Sequence, residues 1–213
     1  MSTHISLAVC ALANMKNAPI MVCALAISLA AATMLSTAAA AAGACARDPS
    51  MTIAAACNKT TAWQGPQGKP AFELCMKTLQ GAAPENSTAS AYGIVAAKAA
   101  LESCAATERA AGKLSQDPKL PENLRATYGS CVDMYGLART GVTAMGDALK
   151  TCSTPGLLRG FADANAAVND CLQVEWLVDD GGVASPLHSM VLADRDRITL
   201  ACFLGALIPG SDE

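Results

Sequence analysis

The stretch from Leu124 to Leu149 restricts the possible folds of this chain more than any other. Its apolar positions are Leu124, Tyr128, Cys131, Tyr135, Ala138, Val142, Met145 and Leu149, separated by alternating steps of four and three residues. A helix turns about 3.6 residues per turn, so this alternation holds the side chains on one seam, that of a helix packed in a left-handed bundle. Arg125, Asp133, Arg139, Asp147 and Lys150 fall between the seam positions and can face water. Cys131 lies in the seam, so its sulfur points at the neighbouring helices. The rest of the chain reads as what this helix packs against.

Three further segments carry related patterns. Ala91 to about Leu114 places Ile94, Ala97, Leu101, Cys104, Glu108 and Ala111 on one stripe, with Glu108 as a polar intruder. Leu157 to about Val178 turns Leu157, Phe161, Ala164, Val168, Cys171 and Leu172 inward. A last helix from Pro186 or Leu187 to about Ile208 carries Val191, Ile198, Ala201, Cys202, Leu204 and Ile208. The breaks between them are Ser115-Gln116-Asp117-Pro118, Ser153-Thr154-Pro155-Gly156 and Asp179-Asp180-Gly181-Gly182. Short connections between long helices predict an all-α fold, an antiparallel up-and-down four-helix bundle over residues 90–208. No segment shows the period-two alternation of a strand.

Ahead of the bundle, residues 45–88 read as a hairpin and linker. Thr52 to Cys57 is a short helical piece, Gly65-Pro66-Gln67-Gly68-Lys69-Pro70 is a turn cluster, and Pro70 to Leu79 restarts as a helix. One Cys on each arm suggests a Cys57–Cys75 bridge. Such a crosslink removes roughly 3 kcal/mol of unfolded-state chain entropy, and an isolated short hairpin needs that help. Ala82 to Ser90 is the linker, ending in Thr and Ser suited to capping the next helix. In the bundle, Cys131 and Cys171 fall on inward stripes of consecutive antiparallel helices, a staple worth roughly 4 kcal/mol. Cys104, Cys152, Cys202 and Cys45 are left over, and a Cys104–Cys152 bridge is one pairing among them.

Residues 1–43 read as a secretory signal. Lys16 is the last charge before Arg47, Ile20 to Leu29 is apolar, and Ser36 to Gly43 is made of small residues suited to a signal peptidase. An uncleaved anchor is the alternative, but the Ala/Ser/Thr end is weakly apolar. Removing the segment takes Lys16 and no acid, which moves the net charge from −3 to −4. The remaining residues 44–210 suffice for one domain with its own core. Eight of the ten cysteines stay with it, as expected of a disulfide-bonded exported protein. Asn58-Lys59-Thr60 and Asn86-Ser87-Thr88 are glycosylation sequons, which make Asn58 and Asn86 candidates. Only three Phe, three Tyr and two Trp occur among abundant Ala, so the core must be built from closely approaching helices.

The residues carry little chemistry. A mildly acidic chain without a basic cluster argues against nucleic acid. No C-x-x-C and no zinc spacing is present, Asp179 and Asp180 lack calcium-loop spacing, and no metal or cofactor is expected. His188 is the one histidine after the signal and reads as a helix-start surface residue. Asp194-Arg195-Asp196-Arg197 reads as a solvated face, and Cys202 as core. No hydrolase, P-loop or dinucleotide motif occurs, so an enzyme is not expected.

The ordered motifs resemble the plant invertase and pectin methylesterase inhibitor family. The residues concerned are Cys57-Asn58-Lys59-Thr60 with Phe72 to Leu79, Cys131 with Tyr135 and Ala138, the FADANAAVNDC run ending at Cys171, and Ser185-Pro186-Leu187 opening the last helix. The resemblance implies a hairpin on a four-helix bundle with bridges Cys57–Cys75 and Cys131–Cys171. It implies an apoplastic or cell-wall protein, rather than a vacuolar one, that inhibits a pectin methylesterase or an acid invertase by tight binding. The protein would be a monomer without membrane or nucleic-acid partners. The loop before the third bundle helix, which many invertase inhibitors of this kind aim at the target as Pro-Lys-Phe, reads Pro155-Gly156-Leu157 here. The alternative function is a secreted helical module that binds a small apolar ligand or a receptor without inhibiting an enzyme.

Overall fold

The computed structural model describes residues 47–62, 68–177 and 185–209, with the backbone alone for 174–177. The expected signal, Cys45, residues 65–67 of the Gly/Pro turn and Asp179-Asp180 lie outside the described residues. In chain order the elements are β1 (Ser50–Thr52), α1 (Ile53–Thr61), α2 (Lys69–Leu79), β2 (Asn86–Thr88), α3 (Ala89–Ser115), α4 (Glu122–Lys150), α5 (Thr154–Leu177) and α6 (His188–Gly205). The fold is all-α apart from one small ladder, and the helices α3 to α6 form the expected bundle. Each helix packs against its chain neighbour, and α6 closes the ring on α3. Among the described residues no helix is long and apolar enough to cross a membrane.

The seam that defines α4 is buried from Tyr128 to Leu149, and Leu124 at its start is half-buried. All six inward positions expected of α5 are buried, as are those of the last helix, with Ile208 just beyond the end of α6. The first bundle helix differs. Its buried face runs through Tyr92, Gly93, Ala96, Ala97, Ala100, Cys104, Thr107 and Ala111, while Ile94 and Leu101 are only half-buried. Helix α3 packs on α4 and on α6 together, so its buried arc is broader than one seam and centres on its small residues. Glu108 sits at the rim of this arc, where its carboxylate accepts from Arg139 Nη1 at 2.7 Å.

The alanine-rich composition acts through close helix contacts. A Cβ placed on Gly141 of α4 would come within 2.7 Å of Ala164 N and 2.8 Å of Gly160 O on α5. One placed on Gly160 would come within 2.8 Å of Gly141 O. The two backbones therefore touch at reciprocal glycines, and larger residues there would push the helices apart. Leu149 and Leu157 use the space left at Gly205 of α6 in a similar way.

The hairpin α1–α2 is closed by Cys57–Cys75, with a Cα–Cα distance of 5.6 Å, and lies against α6. This cover explains why every residue from Ile198 to Ile208 is buried, since a helix apolar on all sides requires neighbours on all sides. The linker contains β2, which pairs antiparallel with β1 in the register Ser50↔Thr88, Met51↔Ser87 and Thr52↔Asn86. No strand is expected from the sequence there, because three residues are too few to show alternation. Tyr92 holds the ladder to α3, its hydroxyl standing 2.8 Å from both Met51 O and Glu85 O. Thr88 caps α3 by accepting from Ala91 N at 3.4 Å.

The glycine contact yields a paired test. Gly141→Ala is expected to destabilise the fold by about 2–3 kcal/mol through overpacking. Gly136→Ala, on the open face of the same helix with nothing within 4 Å, should stabilise it by about 1 kcal/mol through helix propensity. Urea unfolding of the two variants checks this, and equal shifts would contradict the backbone contact.

Candidate functional site

The polar centre of the bundle is Asp194, which is completely buried on α6. Its carboxylate accepts from Ser103 Oγ and from Thr107 Oγ1 at 2.5 Å, both on α3, and from the Tyr135 hydroxyl of α4 at 2.9 Å. Arg197 Nη1 lies 4.0 Å from it. The expected solvated face Asp194–Arg197 is therefore corrected. Asp196 is more than half exposed, Arg195 and Arg197 are partly covered, and Asp194 belongs to the interior. The sequence does hold a signal for this, because Val191, Asp194, Ile198 and Ala201 repeat the three/four spacing of the α4 seam. Thr107 falls between Cys104 and Ala111 on the matching stripe of α3. Buried carboxylates survive in a core only when hydrogen-bonded, and three hydroxyls on two other helices meet that condition.

The network surrounds Cys104, the free thiol among the described cysteines, which is buried. Burial, and next the charge of Asp194, push its pKa up to about 12. The thiolate form that would make it a nucleophile is thereby suppressed. Tyr135 is raised well above the ordinary phenol range by the same two causes in the same order. The Cys104–Cys152 pairing does not occur. Cys104 is level with the middle of α3, whereas Cys152 follows the end of α4 opposite the start of α3, roughly 20 Å along the bundle axis. Cys152 and Cys202 are both disulfide-bonded.

The bridges expected in the bundle and hairpin are present. Cys131–Cys171 joins α4 to α5 at a Cα–Cα distance of 4.9 Å, and all four sulfur-bearing residues of the two bridges are buried. The loop between α4 and α5 is short and internally bonded. Cys152 adopts a left-handed backbone with φ 52°, and Ser153 Oγ accepts from Gly156 N at 3.2 Å. Pro155 is exposed and Gly156 half-buried. Leu157 is 2% exposed and packs against Gly205, so it serves the core, and a partner could not reach it without displacing α6.

The two sequons sit in different settings. Asn58 is exposed on α1, but Thr60 of that sequon is fully buried and donates to Cys57 O at 2.9 Å. Asn86 is exposed on β2, in extended backbone. His188 is half-buried at the first residue of α6, its N–H donating to Ser185 O at 3.0 Å. Among the described residues no group of three or more His, Cys, Asp or Glu side chains could hold a metal ion. The arrangement as a whole can present a stiff surface.

No family model matches the chain, and no curated protein matches it by sequence. The crystal structure of a pectin methylesterase inhibitor from Arabidopsis thaliana is similar to it at a TM-score of 0.47 and 16% sequence identity, over 71% of this chain and 92% of that one.

The buried acids predict an alkaline limit to stability. In the unfolded chain the thiol and phenol ionise near 9.0 and 10.0, whereas in the fold both are raised. Above pH 9 the unfolded state therefore binds fewer protons than the native state. The stabilising contribution is complete below that pH and is lost as pH rises towards 12. Tyr135→Phe should leave Asp194 short of a donor and cost about 1.5–3 kcal/mol at neutral pH. It should also flatten the alkaline slope. Denaturant melts between neutral pH and pH 11 check both, and an unchanged slope would show that Tyr135 is not the coupled group.

Proposed function

We propose that this protein is a secreted inhibitor of a plant carbohydrate-active enzyme, a pectin methylesterase or an acid invertase, acting by tight stoichiometric binding. The observation that carries the reading is the pair of bridges. Cys57–Cys75 closes the hairpin and Cys131–Cys171 staples α4 to α5, the two pairings that the sequence resemblance implies. A bundle crosslinked in this way loses little conformational freedom on association, and low ordering cost is what a tight protein inhibitor requires. On this reading residues 1–43 are a cleaved signal and residues 44–210 form one inhibitor-like domain, a monomer that works in the apoplast or cell wall. The exposed residue that the α4–α5 junction offers for target contact is Pro155, with Gly156 half-buried and Leu157 fixing the turn from within. Asn86 is the better placed sequon, because its Asn lies in exposed extended backbone, whereas Thr60 completes the Asn58 sequon from inside the hairpin.

The test is titration of oxidised, signal-free protein against a plant pectin methylesterase and an acid invertase at about pH 5. Stoichiometric loss of one activity is expected, with that activity restored when the bridges are reduced. A folded, fully oxidised sample that affects neither enzyme would overturn the inhibitor reading and favour a helical binding module.

A further inference from the structure

Where the hairpin meets the bundle, α1, α2 and α6 enclose a cleft of about 360 Å³. This is within the range of small-molecule sites. One wall is apolar, made by Leu74 of α2 with Leu200 and Phe203 of α6. Arg197, one turn before Leu200 on α6, also lines the cleft, and its side chain is 32% exposed. Its guanidinium has no hydrogen-bond acceptor among the described residues. The nearest carboxylate oxygen is Asp194 Oδ1 at 4.0 Å, and Asp194 is already engaged by three hydroxyls. At about one-third exposure the Arg197 guanidinium is open to water, and its donors are available to an anion entering the cleft. Asp196 is also in the lining, but Arg195 Nη2 lies 3.7 Å from its carboxylate and offsets its charge. The cleft thus offers a fork of cationic donors beside an apolar wall.

We propose that this cleft binds a small carboxylic acid with an apolar body, its carboxylate bidentate on Arg197 and its body against Leu74, Leu200 and Phe203. Guanidinium and carboxylate match in planar geometry and charge, and such pairs are among the stronger hydrogen-bonded contacts. The site is separate from the α4–α5 loop and does not depend on the protein being an enzyme inhibitor.

Phenylacetate is the probe and phenylacetamide its neutral counterpart, each titrated into the full oxidised protein and followed by two-dimensional NMR. Phenylacetate should bind saturably with a dissociation constant of about 1 mM or below. Its shifts should centre on Ala71, Leu200 and Phe203. The amide should bind about tenfold more weakly, because it cannot make the charged pair. Arg197→Gln should weaken the acid about tenfold and leave the amide unchanged. Ala71→Trp, which fills the cleft from the hairpin side, should abolish both. No saturable binding of phenylacetate up to about 10 mM would overturn the proposal. So would equal affinity for acid and amide, or shifts centred elsewhere. Should Arg197→Gln fail to fold, the acid-to-amide ratio and Ala71→Trp decide the matter.

Discussion

A chain with so few aromatic residues cannot fill wide gaps between helices, and the contact between Gly141 of α4 and Gly160 of α5 is how this one avoids them. With both residues lacking a side chain, the helix backbones come together directly. The alanines along the same faces, Ala138 and Ala164 among them, then suffice as core. Dispersion contacts and apolar burial depend on distance, so small residues at short separation replace large residues at ordinary separation. Cys131–Cys171 holds the same pair of helices together. Burial of Leu149, Leu157 and Gly205 depends on where this crossing places α4 and α5 against α6.

Close packing by small residues has a drawback, which is that similar faces could slide past one another. Asp194 opposes sliding. Its carboxylate is satisfied only when Ser103 and Thr107 of α3 and Tyr135 of α4 are all in register with it. A shift of one turn would leave a charge buried without partners, which costs far more than the apolar contacts it would trade. Burial, and next the charge of Asp194, raise Cys104 and Tyr135 and keep the free thiol inert. Cys131–Cys171 fixes α4 beside α5, and the buried acid fixes the relative height of α3, α4 and α6.

The hairpin has a different relation to the bundle. It is tied to α3 through the β1–β2 ladder and Tyr92, and it covers the C-terminal half of α6. That cover is incomplete near Arg197, and the cleft is the result. The stapled bundle supplies a stiff body, while the crevice at its junction with the hairpin is a concave feature with its own chemistry.

Most of the helical architecture can be read from the residues alone, because it depends on local periodicity. The seam of α4, the inward faces of α5 and α6, and the Cys57–Cys75 and Cys131–Cys171 pairs all follow from spacing and from the short connections that make neighbouring helices antiparallel. Three features were decided only by the tertiary structure. The buried arc of α3 is set by its having two partners, α4 and α6, which no single-helix pattern contains. The β1–β2 ladder joins three-residue segments far apart in the chain, too short to leave a periodic trace. Asp194 is the instructive case, since its place on the seam was visible while its charge and its Asp-Arg-Asp-Arg neighbourhood pointed outward. A buried carboxylate is tolerable only where hydroxyls from other helices converge on it, and that convergence exists only once the bundle has formed.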